Sequence, residues 1–242
     1  MKLIILALCV AAAAACTCTI TCTGDACKDG NSKTEGFESD ACDTAGTTMD
    51  GLCKKAGGTG CEASCPCFPA DAIVTLDNGS KKKMGDLAVG DKVLTHNGVF
   101  SEVFMFSHRL EEASYNFIEL TTATATLAIT PNHYLYVNGE LREARYVSAG
   151  DSLTLASGKQ DKVLSVGRVK KDGIFNPHTL QGDIVVDGVL TSTYTSAFSP
   201  TLAHVVLAPL RGLYQMGVNI FKLDIGNALD QLPAWWKTMY AA

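Results

Sequence analysis

All ten cysteines of this 242-residue chain lie at or before Cys67, and none follows. Up to that point the chain is rich in Cys, Gly, Thr and Asp. Beyond it come short β-branched and aromatic runs separated by turn dipeptides. Two such compositions cannot share one core, so the stretch Cys65-Pro66-Cys67-Phe68-Pro69 marks a boundary between separately stabilised segments. Cys67 opens the second segment. A cysteine there can reach the carbonyl of the residue before it, so Cys67 reads as a nucleophile aimed at its own backbone, at Pro66.

The upstream segment explains its own cysteines. Residues 1–15 read as a secretory signal: Lys2, the apolar run Leu3 to Val10, then small residues. That run is too short to span a bilayer, which takes about 20 apolar residues. A lipoprotein-type signal ending at Cys16 is a competing reading. Residues 16–66 hold Cys16, Cys18, Cys22, Cys27, Cys42, Cys53, Cys61 and Cys65, an even set with few apolar residues between. So small a segment cannot bury a sufficient core, and disulfides supply about 2–4 kcal/mol each in an oxidising compartment. The expectation is a small disulfide-rich domain, secreted, whose pairing and extracellular partner stay unknown. Metal binding through Cys18, Cys22 and Cys27 competes, but no histidines or second compact pair accompany them. Cys65 either completes the upstream set or bonds Cys67, which would lock the nucleophile. The net charge of −5 carries no basic footprint for nucleic acid.

After Cys67 the periodicity is that of strands. Runs at Ala72 to Leu76, Lys92 to Thr95, Val103 to Phe106, Phe117 to Leu120, Thr126 to Ile129 and Tyr134 to Val137 alternate with turn residues. Further runs follow at Ser152 to Leu155, Lys162 to Val166 and Ile184 to Val186. Asp77-Asn78-Gly79, His96-Asn97-Gly98, Asn138-Gly139 and Asp187-Gly188 supply the turns. The fold class is all-β. The chain also repeats itself: Leu87-Ala88-Val89-Gly90-Asp91-Lys92-Val93-Leu94 matches Val147-Ser148-Ala149-Gly150-Asp151-Ser152-Leu153-Thr154, 60 residues on. Val103 and Phe106 match Val163 and Val166 at the same offset. Two related halves predict a pseudo-two-fold β fold.

A thiol attacking a peptide bond is uphill unless it is held in place and the departing nitrogen is protonated. Holding the thiol contributes about 7–11 kcal/mol to lowering the barrier, and a placed histidine adds about 10²–10⁴-fold. Of the histidines at 96, 108, 133, 178 and 204, His133 has the best context. It begins an apolar run and follows Thr130 by three residues, so a Thr-Pro-Asn-His turn puts hydroxyl and imidazole on one side. A structural histidine capping a strand is the bland alternative.

Cys67-Phe68-Pro69, Gly85-Asp86-Leu87, Gly90-Asp91-Lys92-Val93-Leu94, Thr130-Pro131-Asn132-His133 and Gly182-Asp183-Ile184-Val185-Val186-Asp187 together resemble the autoprocessing (Hint/Hog) domain of Hedgehog proteins. The resemblance runs in order from Cys67 to about Tyr194, and Leu202-Ala203-His204 and Leu207-Ala208-Pro209 resemble the region just beyond. It implies the Hint fold and an N-to-S acyl shift at Cys67, with Thr130 and His133 activating the scissile bond. A second nucleophile (a sterol hydroxyl in animals) then releases the N-terminal part as an ester. His108 stands where the family has an aspartate that activates the sterol hydroxyl; a neutral imidazole can accept the same proton. A sterol, another lipid alcohol or water fits as the second nucleophile, and no cofactor or metal is implied.

Three positions depart from the family. Pro66 replaces a glycine before the nucleophile and predicts slower attack. Thr193 replaces a late cysteine, and the tail after Tyr194 is short. No His-Asn pair followed by Cys, Ser or Thr ends the domain, so the expected outcome is cleavage without splicing. The tail's Leu207, Leu210, Leu213 and Met216 predict an amphipathic helix broken near Pro209 and Pro233. It either packs on the β domain or meets a lipid or membrane surface, with Trp235 and Trp236 at the interface. The expected organisation is therefore a signal at 1–15, a disulfide domain at 16–66, a Hint domain at 67–196 and a helical tail at 197–242. The expected function is a self-cleaving secreted precursor. The alternative is a degenerate Hint domain serving as a secreted scaffold, which Pro66 favours.

Overall fold

The structure is a computed structural model that describes residues 19–22, 61–64, 67–195, 204–205 and 207–217, with backbone alone at 19–22, 61–64, 112, 113 and 195. The expected signal at residues 1–15, Cys65, Pro66, Trp235 and Trp236 lie outside the described residues. Upstream, β1 (Thr19–Cys22) pairs antiparallel with β2 (Cys61–Ser64), in a register that sets Cys22 opposite Cys61.

The segment from Cys67 is built of β structure, as its alternation predicts. Its strands are β3 (Ile73–Thr75), β4 (Lys81–Lys83), β5 (Lys92–Leu94), β6 (Phe100–Thr121), β7 (Thr126–Ile129), β8 (His133–Val137) and β9 (Glu140–Glu143). They continue as β10 (Ser152–Thr154), β11 (Gln160–Lys162), β12 (Ser165–Thr179), β13 (Asp183–Val186) and β14 (Val189–Thr195). One sheet runs β11-β10-β8-β14-β13 with β9 on β8, another runs β12-β6-β5 with β7 on β6, and β3 pairs β4. Phe68, Val74, Met84, Leu87, Val93, Leu120, Leu127, Leu135, Val137, Leu153, Phe175 and Ile184 form one buried core between them. Each large apolar side chain so buried contributes about 1.5–3 kcal/mol.

The repeat is structural. The 3₁₀ turns at Met84–Asp86 and Ala144–Tyr146, and strands β5 and β10, stand 60 residues apart. The Gly-Asp motif has a local reason in each half. Asp91 Oδ2 accepts the Ala88 N–H at 2.7 Å and Asp151 Oδ2 the Ser148 N–H at 2.9 Å, closing a side-chain turn. Gly90 and Gly150 take φ of +97° and +99°, a region open to glycine, and their N–H groups reach the Val103 and Val163 carbonyls. At Asn138-Gly139 and Asp187-Gly188 both φ values are positive, so β8–β9 and β13–β14 are two-residue hairpins.

Three element readings need correction. Val103 to Phe106 and Phe117 to Leu120 are not separate strands but parts of the 22-residue β6, whose mid-section is held by pairing with β12 rather than by apolar pattern. Lys162 to Val166 is not one strand: β11 ends at Lys162 and β12 starts at Ser165, where the chain changes sheets. Pro209 does not break the tail helix. It sits in the first turn of α1 (Ala208–Gln215), where a missing N–H costs nothing. This helix packs on the β domain: Leu207 and Leu210 are buried with Phe104, Met105 and Tyr194.

Candidate functional site

Thr130-Pro131-Asn132-His133 is a β-turn closed by the His133 N–H on the Thr130 carbonyl at 3.2 Å, with proline at the position whose φ the ring pre-sets. Its first residue grips Cys67 from two sides. The Cys67 N–H donates to Thr130 Oγ1 at 2.6 Å, and the Thr130 N–H donates to the Cys67 carbonyl at 3.1 Å. The next residue is clamped from the other side: Phe68 and Phe175 exchange two backbone hydrogen bonds of 2.9 Å. Phe68 is fully buried, so the core itself anchors this end of the chain. Cys67, Thr130 and His133 are all buried; Thr130 bonds Cys67 directly, and the His133 ring packs on Phe68, the residue next to Cys67.

His133 is the inward first residue of β8, and its ring lies 4.4 Å from the Phe68 ring, centre to centre. Its Nε2 is 2.7 Å from the Ser192 carbonyl on β14; the carbonyl only accepts, so Nε2 carries the proton and donates. Nδ1 is then the bare nitrogen, buried and without a hydrogen-bond partner in the structure. Burial holds the imidazole neutral, pulling its pKa down to about 4. The Ser192 carbonyl works against that shift, and nearby His108 adds to it.

His108 lies in the same buried cluster. It sits on β6 directly across from Asn176 on β12, and its Nε2 is buried without a partner. Two neighbours were not singled out by sequence reasoning. Asn176 and His178 are almost fully buried on β12, flanked by register shifts at Asn176/Pro177 and His178/Thr179. Bulges re-aim side chains and also accommodate Pro177, which has no ladder donor. Ser107 Oγ joins them, 2.8 Å from Asn176 Nδ2, 3.1 Å from His178 Nε2 and 3.4 Å from His108 Nδ1. Burial, then the neighbouring His108 and His133, push the pKa of His178 down to about 3. The one sequence signal for this group is the two-residue spacing of Asn176 and His178, which favours one face of a strand. His96 and His204 lie apart from it: His96 faces Asp183, and His204 Nδ1 meets the Tyr194 hydroxyl. Thr193 is fully buried on β14.

Among the described residues, no group of His, Cys, Asp and Glu is arranged to hold a metal ion. No helix among them is long and apolar enough to cross a membrane.

Known proteins carry related sequences. The family model of the Hint module matches residues 59–231. The protein hedgehog of Drosophila virilis is 37% identical over 169 residues, covering 62% of this chain and 34% of that protein. The protein hedgehog of Drosophila melanogaster is 35% identical over 162 residues, covering 60% and 34%. The chain thus matches about a third of the length of these relatives. Among solved structures, the gp41-1 intein superposes with a TM-score of 0.47 at 15% identity, over 52% of this chain and 98% of its own. An intein-like domain from Clostridium thermocellum does so with a TM-score of 0.44 at 18% identity, over 52% and 97%. With the family model matched over most of its length, this chain belongs to the Hint family, and its sequence is similar to that of Hedgehog proteins.

Proposed function

We propose that the chain cuts itself between Pro66 and Cys67. The observation that carries this reading is the 2.6 Å hydrogen bond from the Cys67 nitrogen to Thr130 Oγ1. That nitrogen is the leaving group of the bond to be cut, and the hydroxyl that holds it belongs to the turn that carries His133, a histidine with one bare nitrogen. His133 Nδ1 takes the thiol proton. The Cys67 sulfur bonds to the Pro66 carbonyl carbon, the carbon–nitrogen bond breaks, and the proton passes to the nitrogen. The product is a thioester with a free amine on Cys67. The Ser192 carbonyl supports the transient imidazolium. A second nucleophile, a sterol or other lipid hydroxyl or water, gives up its proton to His108. It then attacks the thioester and releases the upstream segment as an ester or acid, restoring the thiol.

In this reading the chain is a precursor entering the secretory pathway, with segments 1–15, 16–66, 67–196 and 197–242 as signal, disulfide domain, Hint domain and tail. Peptide mapping of the non-reduced protein reads how the upstream cysteines pair. The packing of α1 favours the β domain as partner of the first part of the tail, and residues 218–242 remain for a lipid contact.

Intact mass tests the cleavage. The precursor incubated with dithiothreitol should give two fragments, the larger beginning at Cys67, and Cys67→Ala should stay whole. A parent that stays whole alongside it would favour the scaffold reading, in which Pro66 has silenced the site.

A further inference from the structure

We propose that Asn176 and His108 together bind the second nucleophile and select water for that role, so that the upstream segment leaves as a free acid. The proposal rests on the self-cleavage reading above, in which His108 takes the nucleophile's proton.

Strand pairing sets three residues in a row. Phe68 and Phe175 exchange two backbone hydrogen bonds of 2.9 Å, and Phe175 stands opposite Arg109 on β6. One step along each chain, Asn176 stands opposite His108, with no register shift between the two pairs. Cys67 takes the matching step beside Asn176. Its backbone N–H and carbonyl bond to Thr130, while those of Phe68 face β12, the alternation of an extended strand. Opposed residues of antiparallel strands share a face, and successive residues alternate between faces. Cys67, Asn176 and His108 therefore lie on one face, with Phe68 and Phe175 on the other. All three are buried. Neighbouring strands are about 4.8 Å apart, so Asn176 stands between the thiol and the base.

One end of each polar side chain is engaged and the other is not. Ser107 Oγ lies 2.8 Å from Asn176 Nδ2 and 3.4 Å from His108 Nδ1. The remaining atoms, Asn176 Oδ1 and His108 Nε2, are buried with no hydrogen-bond partner in the structure. Nearly all buried polar atoms in folded proteins are paired, so two unpaired on facing residues beside a nucleophile point to a guest that pairs them. An amide oxygen only accepts, and a nitrogen that takes the nucleophile's proton must accept as well. The guest therefore needs two protons on one oxygen. Water has two and an alcohol has one. An alcohol that gives its proton to His108 leaves Asn176 Oδ1 buried and unpaired, which slows it by about tenfold or more relative to water. In the step itself, one water proton goes to His108 Nε2 while the other is held by Asn176 Oδ1. The water oxygen bonds to the thioester carbonyl carbon, the carbon–sulfur bond breaks, and the sulfur takes the proton from His108. The products are the acid of the upstream segment and the Cys67 thiol.

Intact mass of the released segment reads the choice. Acid and ester form from the same thioester, so their ratio does not depend on how fast it forms. With ethanol, or with cholesterol in detergent micelles, the full-length parent should release mainly acid. Asn176→Leu, which removes the acceptor at similar volume, should lower the acid-to-ester ratio by about tenfold or more. Asn176→Asp keeps an acceptor oxygen and should hold the parent's ratio. Ester as the main product of the parent, or a ratio unmoved by Asn176→Leu, overturns the inference. So does a fall in Asn176→Asp equal to that in Asn176→Leu, which would assign the effect to the amide N–H. The site can also be read without cleavage. In the full-length Cys67→Ala chain, the His108 ring protons should show magnetisation transfer from a bound water, lost when Asn176→Leu is added. No such transfer in Cys67→Ala overturns the inference as well. A parent that dithiothreitol leaves whole fails the self-cleavage reading instead, and the bound-water measurement then still tests the site.

Discussion

The backbone nitrogen of Cys67 and the hydroxyl of Thr130, 63 residues apart in sequence, meet at 2.6 Å inside the domain. This contact ties Cys67 to the turn that carries His133. It also holds the one atom whose departure the proposed reaction requires.

Removing that hydroxyl while keeping its shape isolates the contact. Thr130→Val takes the hydroxyl acceptor away from the buried Cys67 N–H, at a cost of about 1–3 kcal/mol. Thiol-driven cleavage should slow by roughly tenfold to a hundredfold, and Thr130→Ser should regain most of it. Equal rates for the valine and serine variants would show that the hydroxyl does nothing for the chemistry.

The two histidines should separate by step. His133→Ala should reduce cleavage by about 10²–10⁴-fold even with a strong thiol added. His108→Ala should still cleave with thiol and lose transfer to a lipid alcohol. Equal losses under both conditions would remove the division of labour.

Acid should destabilise the fold early. His133 and His178 have folded pKa values near 4 and 3, below the ordinary value of 6.5. The unfolded chain therefore binds protons that the folded chain refuses. Stability is complete above pH 6.5 and falls as the pH drops from 6.5 toward 4, by about tenfold in the folding constant per pH unit for each imidazole. Urea midpoints measured for Cys67→Ala should drop across that interval, and less steeply with His178→Leu added. A flat response from pH 6.5 to 4.5 would contradict the burial of both rings as neutral groups.

Gly182 should not tolerate a side chain. Its φ is +89°, and a Cβ there would lie 2.6 Å from Tyr194 Cε2 and 2.9 Å from its hydroxyl. Tyr194 packs with Phe104, Leu207 and Leu210 beneath α1, so its displacement loosens the helix as well. Gly182→Ala should cost about 2 kcal/mol or more, read as a fall in thermal midpoint. Gly188→Ala, at φ +85° with open space around it, should cost less.

What could be read from the chain alone is what local physics dictates. The last cysteine marked where the strand-like runs begin. Alternating runs named the strands whose faces differ, such as β8 and β10, and Asn-Gly and Asp-Gly dipeptides named hairpin turns. The paired Gly-Asp turns exposed the duplication because each aspartate caps its own turn. The Thr-Pro-Asn-His turn was legible for the same reason. Strands without a pattern were not. β4 is three lysines, and β12 carries Arg168, Lys170, Lys171, Gly173 and Pro177; only pairing with β3 and β6 makes them strands. The Ser107-Asn176-His178 group was hidden likewise. It is assembled across two strands, at bulges whose register follows from how those strands meet, and no spacing along the chain encodes which buried polar atoms will share one hydroxyl.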